Sequence, residues 1–125
     1  MILTLPFPPS TNTYYRKFRN RMVIGEKGRA YKKAVALVCS QLPLLETFKL
    51  PLRGRVALVA WLYPPDLRRR DLDNFCGKAL LDALKGIAFG DDSLVYRLAG
   101  EWMLNGDGEL LVVKGGLLSV EITSL

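Results

Sequence analysis

The alternation of apolar and polar positions divides the chain into strand and helix segments. A continuous β-prone apolar run at residues 55–63 predicts a central, buried strand, and residues 2–5 predict a short first strand. Apolar residues at helical spacing predict a first helix over residues 29–42, which ends before a proline. A second apolar stripe predicts a helix over residues 74–85, and Gly86 suits its C-terminal end.

The last third of the chain predicts antiparallel strands joined by turns. Residues 95–104 predict one strand, and residues 105–108 predict the turn that follows it. Residues 109–114 and 117–123 predict two further strands, hinged at the two glycines between them. The order β-α-β-α-β-β-β predicts one α+β domain over residues 1–125, with a mixed β-sheet and two main helices packed against it.

The segment after the first strand shows neither the two-residue alternation of a strand nor the helical spacing of apolar residues. Its prolines predict an extended stretch over residues 6–13, because proline fixes φ and lacks an amide donor. Residues 14–33 carry eight cations against Glu26 alone, and two glycines within them predict that part of this stretch is a mobile loop. Tyr14-Tyr15-Arg16 either stacks on bases and sugars or lies buried under that loop.

The composition excludes several kinds of site. The chain has no histidine, which rules out Ser-His and Cys-His nucleophiles and a histidine base. The two cysteines, Cys39 and Cys76, are interpreted as reduced thiols, and they are too few for a zinc site. Because there is neither a membrane-length apolar run nor a signal peptide pattern, we expect a cytoplasmic location and no membrane partner.

Charge is unevenly distributed along the chain. Residues 1–70 hold fourteen Lys or Arg and three Asp or Glu, a net charge of +11, whereas residues 71–125 have a net charge of −5. A basic half beside an acidic half fits a protein whose basic surface binds a polyanion and whose acidic pocket, next to that surface, binds a metal ion. Basic charge is only the first criterion for nucleic-acid binding, so charge alone leaves that function open.

The segment Arg68-Arg69-Arg70-Asp71-Leu72-Asp73-Asn74 places three cations directly before two carboxylates. Side chains two apart in an extended segment share a side, and like charges about 4 Å apart repel by roughly 4 kcal/mol at a dielectric of about 20. A hard divalent cation such as Mg²⁺ would relieve that repulsion, and the arginines favour a phosphate-bearing substrate. Two simpler roles stay open: one aspartate caps the following helix, or the arginines neutralise both.

A second acidic pair, Asp91 and Asp92, follows in a Gly-Asp-Asp-Ser segment typical of turns. We expect the chain to return to the same end of the sheet after one helix. One aspartate would then reach the metal and the other point away, and the spacing does not decide which. Lys78 and Asp82 stand four residues apart in the second helix, either as a surface ion pair or with Lys78 facing the carboxylates to hold the scissile phosphate.

Taken together, these segments resemble the RusA family of Holliday-junction resolvases. The matching pieces occur in the family's order and span most of the chain, with the final third matched only loosely. They are Pro8-Pro9-Ser10-Thr11-Asn12, Tyr15-Arg16, the arginine-aspartate segment 68–74, Lys78, Leu81-Asp82-Ala83-Leu84 and Asp91-Asp92-Ser93.

The resemblance implies a small homodimeric endonuclease, often carried by phages, that depends on Mg²⁺ and for which Mn²⁺ can substitute. By position it implies that Asp71, Asp73 and Asp92 are catalytic metal ligands and that Lys78 is the catalytic helix lysine. The chain has four residues between Asp73 and Lys78 where the family usually has three, which would turn the lysine by about 100° in an ideal helix. The expected DNA contacts are Arg68, Arg69, Arg70, Asn12, Tyr15 and Arg16.

Two functions follow as hypotheses. The first is a metal-dependent endonuclease that resolves four-way DNA junctions by paired symmetric nicks in recombination and repair. In it, Asp71, Asp73 and Asp92 converge on one or two Mg²⁺ ions, and a two-fold dimer presents two active sites. A nuclease for other branched DNA belongs to the same class. The second is a non-catalytic, basic nucleic-acid-binding protein, whose binding depends on salt but needs no metal.

Overall fold

The computed structural model describes residues 1–43, 47–75 and 77–125. The strands are β1 (Ile2–Leu5), β2 (Tyr15–Phe18), β3 (Arg21–Ile24), β4 (Val56–Tyr63), β5 (Val95–Trp102) and β6 (Leu117–Ser124). The helices are α1 (Thr11–Tyr14), α2 (Glu26–Ser40) and α3 (Gly77–Leu84), and single 3-10 turns at Leu72–Asn74 and Asp92–Leu94 precede α3 and β5.

The main sheet has the strand order β1-β6-β4-β5 and is mixed. β6 pairs antiparallel with β1 and β4, whereas β4 and β5 run parallel, with Val56 opposite Val95 and Leu62 opposite Trp102. Parallel neighbours need a crossover connection, which here contains α3. The predicted mixed α+β fold is confirmed, and so is the central strand, since β4 has neighbours on both sides and is largely buried.

α2 and α3 contact each other and place their apolar stripes in the core that the sheet closes. α2 begins earlier than predicted, because Gly25 takes its N-cap position. α3 begins at Gly77 instead of residue 74, and Cys76, with the prediction that it is a free thiol, lies outside the described residues. Within residues 1–43, 47–75 and 77–125, every helix falls short of the length and apolar character that a bilayer crossing demands.

Residues 14–33 form a hairpin and the first turns of α2 instead of the predicted loop. β2 and β3 pair antiparallel, with Tyr15 opposite Ile24. The glycines misled the prediction because they serve packing: Gly28 lies within α2, where an added Cβ would be 2.6 Å from Ile24 Cγ2 and 2.8 Å from the Tyr14 ring. The cations of this stretch therefore project from a hairpin and a helix that pack on the core.

The segment after β5 differs from the prediction in one strand. The turn at residues 105–108 is confirmed, with the Asn105 amide donating to the Glu109 carbonyl at 2.8 Å. Residues 109–114 do not form the predicted strand. Leu110 makes an isolated bridge to Leu104, just after β5, and the amides of Leu111 and Val113 donate to the carbonyls of Met103 and Pro64. Gly115 and Gly116 have φ of +80° and +75°, a conformation that favours glycine and turns the chain into β6.

Candidate active site

The acidic motif, Asp71 and Asp73 with the residues up to Phe75, lies on a segment that runs back along β5 after the chain leaves β4. The ring of Phe75 covers Gly100, where an added Cβ would approach it to 3.1 Å. Two residues later, Gly77 lies against Leu98 of the same strand. Phe75 thus lies near the end of β5 and Gly77, where α3 begins, lies near its middle.

The expectation that Asp91 and Asp92 return to the sheet end where β4 stops is wrong. Because β4 and β5 are parallel, the start of β5 lies opposite Val56, at the start of β4. The second acidic pair immediately precedes that start. The two acidic segments are linked instead by Phe75 and Gly77, which lie against β5, and by Lys78, which reaches Asp92 from the first turn of α3.

Asp71 and Asp73 are exposed, and among the described residues neither side chain makes an ion pair or a hydrogen bond. Asp71 occupies the N-cap position of the 3-10 turn without a capping bond from its side chain. The arginines do not neutralise the motif either, because Arg68 and Arg70 pair with Asp66 at 3.6 and 2.9 Å. The structure therefore supports neither simpler role, and both carboxylates face solvent.

Asp91 and Asp92 have different partners, so the structure separates what spacing could not. The Asp91 carboxylate accepts the Ser93 amide at 3.0 Å and pairs with Lys85 at 3.2 Å, and the bonds from Ser93 and Lys85 lower its pKa. Asp92 turns toward α3, where its Oδ2 accepts from Lys78 Nζ at 3.3 Å. Its Oδ1 is buried and has no hydrogen-bond partner among the described residues.

Lys78 is the centre of a hydrogen-bond network between α1, α3 and the turn before β5. Its Nζ lies 2.7 Å from Asp82 Oδ1 and 3.3 Å from Asp92 Oδ2. The other oxygen of Asp82, Oδ2, accepts from the hydroxyl of Tyr14, a fully buried residue. Despite the extra residue between Asp73 and Lys78, the lysine faces two carboxylates from the first turn of α3.

The network fixes the charges of its members. The hydrogen bond from Lys78 to Asp82, aided by the bond to Asp92 and by both negative charges, raises the pKa of Lys78 to about 12. Burial opposes ionisation of Asp82, but the hydrogen bonds from Lys78 and Tyr14 outweigh it, so the pKa of Asp82 lies below its ordinary value. At neutral pH the network holds an ammonium between two carboxylates.

The expected convergence of three carboxylates is not found within the single chain. Among the residues that the structure describes, no three Asp, Glu or Cys side chains form a group that could hold a metal ion. Mg²⁺ nevertheless commonly binds to one or two carboxylates plus substrate phosphate and water, so exposed carboxylate oxygens at Asp71 and Asp73 suit it. The unpartnered Oδ1 of Asp92 is a further oxygen of the kind that a hard cation prefers.

An open cleft of about 780 Å³ adjoins Asp71. It is lined by cations and by aromatic rings, among them Lys27, Arg68, Arg69, Arg70, Phe7 and Trp102. Arg69 is exposed and has no ion pair among the described residues, unlike Arg68 and Arg70. The unpaired guanidinium of Arg69 thus lines the same cleft as the unpaired carboxylate of Asp71.

Of the predicted N-terminal contacts, Asn12 lies between Ser10 and Thr13, which line this cleft. Ser10 bridges to Phe75, and the Thr11 hydroxyl donates to the Asn74 carbonyl at 3.3 Å, so the exposed Asn12 is held close to the motif. Tyr15 is half-buried and packs edge-to-face on the ring of Tyr14 with centroids 4.9 Å apart, and the guanidinium of Arg16 lies over the ring of Phe18 at 5.7 Å. Their contacts with DNA remain predictions.

The sequence predicted either base stacking or burial for Tyr14, and the structure shows it buried. For Asp82 the i,i+4 spacing to Lys78 is typical of a surface ion pair, so the sequence assigned it no role of its own in the site. The bond from Tyr14 to Asp82 spans 68 residues of sequence, and no local pattern indicates it.

Comparisons with known proteins show the family of the chain. Residues 6–114 match the family described as Endodeoxyribonuclease RusA. The chain is 37% identical over 126 residues to the crossover junction endodeoxyribonuclease RusA of Escherichia coli strain K12, covering 98% of this chain and 93% of the relative. The enzymes of the same name from Enterobacteria phage 82 and Shigella sonnei are 38% and 37% identical over the same shares. The chain therefore belongs to the RusA family of endodeoxyribonucleases.

Proposed function

We propose that this chain is a Mg²⁺-dependent endonuclease that resolves four-way DNA junctions by paired symmetric nicks in recombination and repair. Its relatives are named for crossover junctions. The observation that carries the proposal is the pair of exposed carboxylates, Asp71 and Asp73, which have no partner among the described residues. Asp71 lines the same cleft as three arginines. Carboxylates without a counter-charge in the described chain, close to cations, suit a metal ion and a phosphate together.

Asp71 and Asp73 would hold the ion, and Mn²⁺ would be able to substitute for Mg²⁺. Asp92 would act as a third carboxylate once the ion and the DNA draw the two acidic segments together, because the three do not group in the part of the chain that the structure describes. When bound, the ion supplies an activated water and stabilises the departing 3′-oxygen of the phosphodiester. The chain's own residues position the DNA. Lys78 places a fixed ammonium beside Asp92, where a phosphate oxygen can accept a hydrogen bond from it. Arg69 has no acidic partner in the described chain that would compete with a backbone phosphate.

The substrate's symmetry supports a dimer. A four-way junction resolved by two matching nicks needs two active sites related by a two-fold axis, which a closed homodimer provides. The further predicted contacts, Asn12, Tyr15 and Arg16, would then extend each subunit's grip along one arm of the junction. Because its substrate is DNA and its relatives are bacterial and phage enzymes, we place its action in the cytoplasm.

The test is cleavage of labelled synthetic DNA by the purified full-length chain, with Mg²⁺, with Mn²⁺ or with EDTA. The substrates are a four-way junction, a flap and a linear duplex of the same sequence. We expect paired nicks on opposite strands of the four-way junction. Asp71→Asn and Asp73→Asn should each reduce cutting at least about 100-fold, the scale for loss of one charge-stabilising group. Asp107→Asn, a change at an exposed turn aspartate, is the matched control and should leave cutting unchanged.

Binding distinguishes the competing hypothesis. Both active-site variants should bind the junction as tightly as the wild type or more tightly, because each removes a negative charge near a polyanion. A wild type that binds with steep salt dependence but never cuts, with or without metal, would show a non-catalytic binding protein. Preferential cutting of the flap would keep the enzyme class and change the substrate.

A further inference from the structure

Asp82 uses both of its carboxylate oxygens on side chains from different parts of the fold. Oδ1 accepts from Lys78 Nζ at 2.7 Å, and Oδ2 accepts from the hydroxyl of Tyr14. The side chain of Asp82 is only 11% exposed, whereas that of Lys78 is 50% exposed. This pair therefore differs from an ordinary surface ion pair, because its acidic member is embedded and held by a second donor.

Tyr14, whose hydroxyl holds Asp82, is itself immobilised by packing. Tyr14 is fully buried, with the α carbon of Gly28 close to one side of its ring and the edge of Tyr15 set against it. Its backbone is held as well, since its amide donates to the Ser10 carbonyl at 3.0 Å and its carbonyl accepts the Gly25 amide at 2.8 Å. A carboxylate bonded to this hydroxyl has little freedom to turn.

We propose that Asp82, held by the hydroxyl of Tyr14, is a positioning residue that keeps the Lys78 ammonium against Asp92. The proposal rests on the proposed function for its consequence in catalysis, but the positioning itself is a property of the chain. Lys78 carries four rotatable side-chain bonds and would otherwise sample many positions around its half-exposed site. A fixed ammonium is worth more to a developing negative charge than a mobile one, because no reorganisation is needed at the moment of reaction.

The network also links the N-terminal segment to α3. Ser10 and Thr11 contact Phe75 and Asn74 of the acidic motif, and Tyr14, a few residues later, contacts Asp82. The same short segment that borders the exposed carboxylates therefore also orients the lysine. Movement of α1 would disturb both at once.

The test is a set of single-turnover rates and junction affinities for four variants of the full chain. Asp82→Asn and Tyr14→Phe keep the size of each side chain, Lys78→Met removes the ammonium, and the double variant Lys78→Met/Asp82→Asn measures their coupling. Lys85→Met, which breaks the neighbouring exposed pair with Asp91, is the matched control. Thermal unfolding of each variant confirms that it folds.

We expect Lys78→Met to slow cleavage about 100-fold and Asp82→Asn about tenfold, with junction affinity within about twofold of the wild type. Tyr14→Phe should slow it about threefold, and Lys85→Met should have no effect. In the Lys78→Met background, Asp82→Asn should cost nothing further, because it acts through the lysine. An undiminished tenfold loss in that background, or a normal rate for Asp82→Asn, would overturn the proposal.

A readout that needs no cleavage separates this proposal from the proposed function. A lysine ammonium held between two carboxylates exchanges its protons with water slowly enough to give an NMR signal in a ¹⁵N-labelled protein. A fully solvated ammonium exchanges them too fast to give that signal. The Lys78 signal should be present in the wild type and in Lys85→Met and lost in Asp82→Asn. Persistence of that signal in Asp82→Asn refutes the positioning role even if the enzyme cuts junctions. A wild type that shows the expected signals but cuts no DNA refutes the nuclease and leaves the positioning intact.

Discussion

The two acidic segments of this chain differ in what balances their charge. Asp71 and Asp73 are exposed and lack ion pairs and side-chain hydrogen bonds within the described residues. Asp91 and Asp92 are each paired with a lysine, at 3.2 and 3.3 Å, and the bound lysines come from the end and the start of the α3 region. The chain therefore compensates one acidic pair internally and leaves the other to be compensated from outside.

That difference separates a structural role from a ligand-binding one. Acids that carry their own counter-charge contribute to the free energy of folding, and their removal should destabilise the protein. Exposed acids close in sequence only repel each other, so their removal should leave the free energy of unfolding within about 0.5 kcal/mol. Asp92 belongs to both classes, because one oxygen is paired with Lys78 and the other is buried without a partner in the described chain.

The largest effect should come from the adjacent aspartates that the structure distinguishes. Asp92→Asn should reduce junction cutting about 100-fold, because it removes the carboxylate that faces Lys78 and offers a free oxygen to a cation. Asp91→Asn should cut at a rate within about threefold of the wild type. It should instead be slightly less stable, since it loses the ion pair with Lys85, while the asparagine oxygen can still accept the Ser93 amide.

The measurement pairs single-turnover cleavage with chemical denaturation for both variants. A normal cutting rate for Asp92→Asn together with loss of activity in Asp91→Asn would reverse the assignment. Equal loss in both, at unchanged stability, would show that the pair acts as a unit and that the comparison drawn here does not hold.

The fold was predictable wherever a periodic apolar pattern had no competitor. β1, β4 and β6 and the cores of both long helices follow from their own side chains, and the mixed sheet follows from their order. The hairpin of β2 and β3 was missed because its exposed face is cationic and its glycines resemble loop residues. Gly28 in fact allows Tyr14 to approach α2, a contact between separate segments that no local pattern encodes.

The candidate site was predictable as a set of residues but not as a geometry. The spacing of Asp71 and Asp73 indicated a metal ligand pair, and the i,i+4 spacing of Lys78 and Asp82 indicated a contact. The choice of Asp92 over Asp91 depends on which side chain turns toward α3, and the bond from Tyr14 to Asp82 depends on tertiary packing. Such contacts are set by how distant segments meet, so spacing alone lists the candidates without ranking them, and only the resemblance to a family favoured Asp92.

A smaller effect should follow from breaking the packing that holds the lysine network, without touching any charge. Gly28→Ala adds a methyl group 2.6 Å from Ile24 and 2.8 Å from the ring of Tyr14. Overpacking typically costs about 1–3 kcal/mol, and replacing glycine inside a helix returns about 0.5–1 kcal/mol, so the net loss should be about 1 kcal/mol. Cutting should fall severalfold as Tyr14 shifts away from Asp82.

Gly54→Ala is the matched control, because nothing lies within 4 Å of an added Cβ there. Urea denaturation and single-turnover cleavage of both variants give the comparison. If Gly28→Ala loses stability but cuts at the wild-type rate, Tyr14 does not transmit its position to the lysine. If both alanine variants behave alike, the close contact at Gly28 is relieved without moving the Tyr14 ring.

The last predicted effect concerns pH and compares a paired acid with an exposed one. The pKa of Asp82 is lowered in the folded state, because the bonds from Lys78 and Tyr14 outweigh the effect of burial, and its unfolded value is about 3.9. A lowered folded pKa means that Asp82 stabilises the fold fully above about pH 4 and loses that contribution as the pH falls further. Asp82→Asn should therefore be about 1–2 kcal/mol less stable than the wild type at pH 7, the scale for a charge-assisted hydrogen bond, and the gap should narrow below pH 4. Lys78 does not titrate in this window, since its pKa is raised to about 12.

Asp71→Asn provides the contrast: with no partner to lose among the described residues, it should match the wild-type stability at pH 7. Unfolding curves in urea at pH 7 and pH 3 give these differences, and a gap for Asp82→Asn that is unchanged at pH 3 would show that its cost at pH 7 does not come from the charge of the carboxylate.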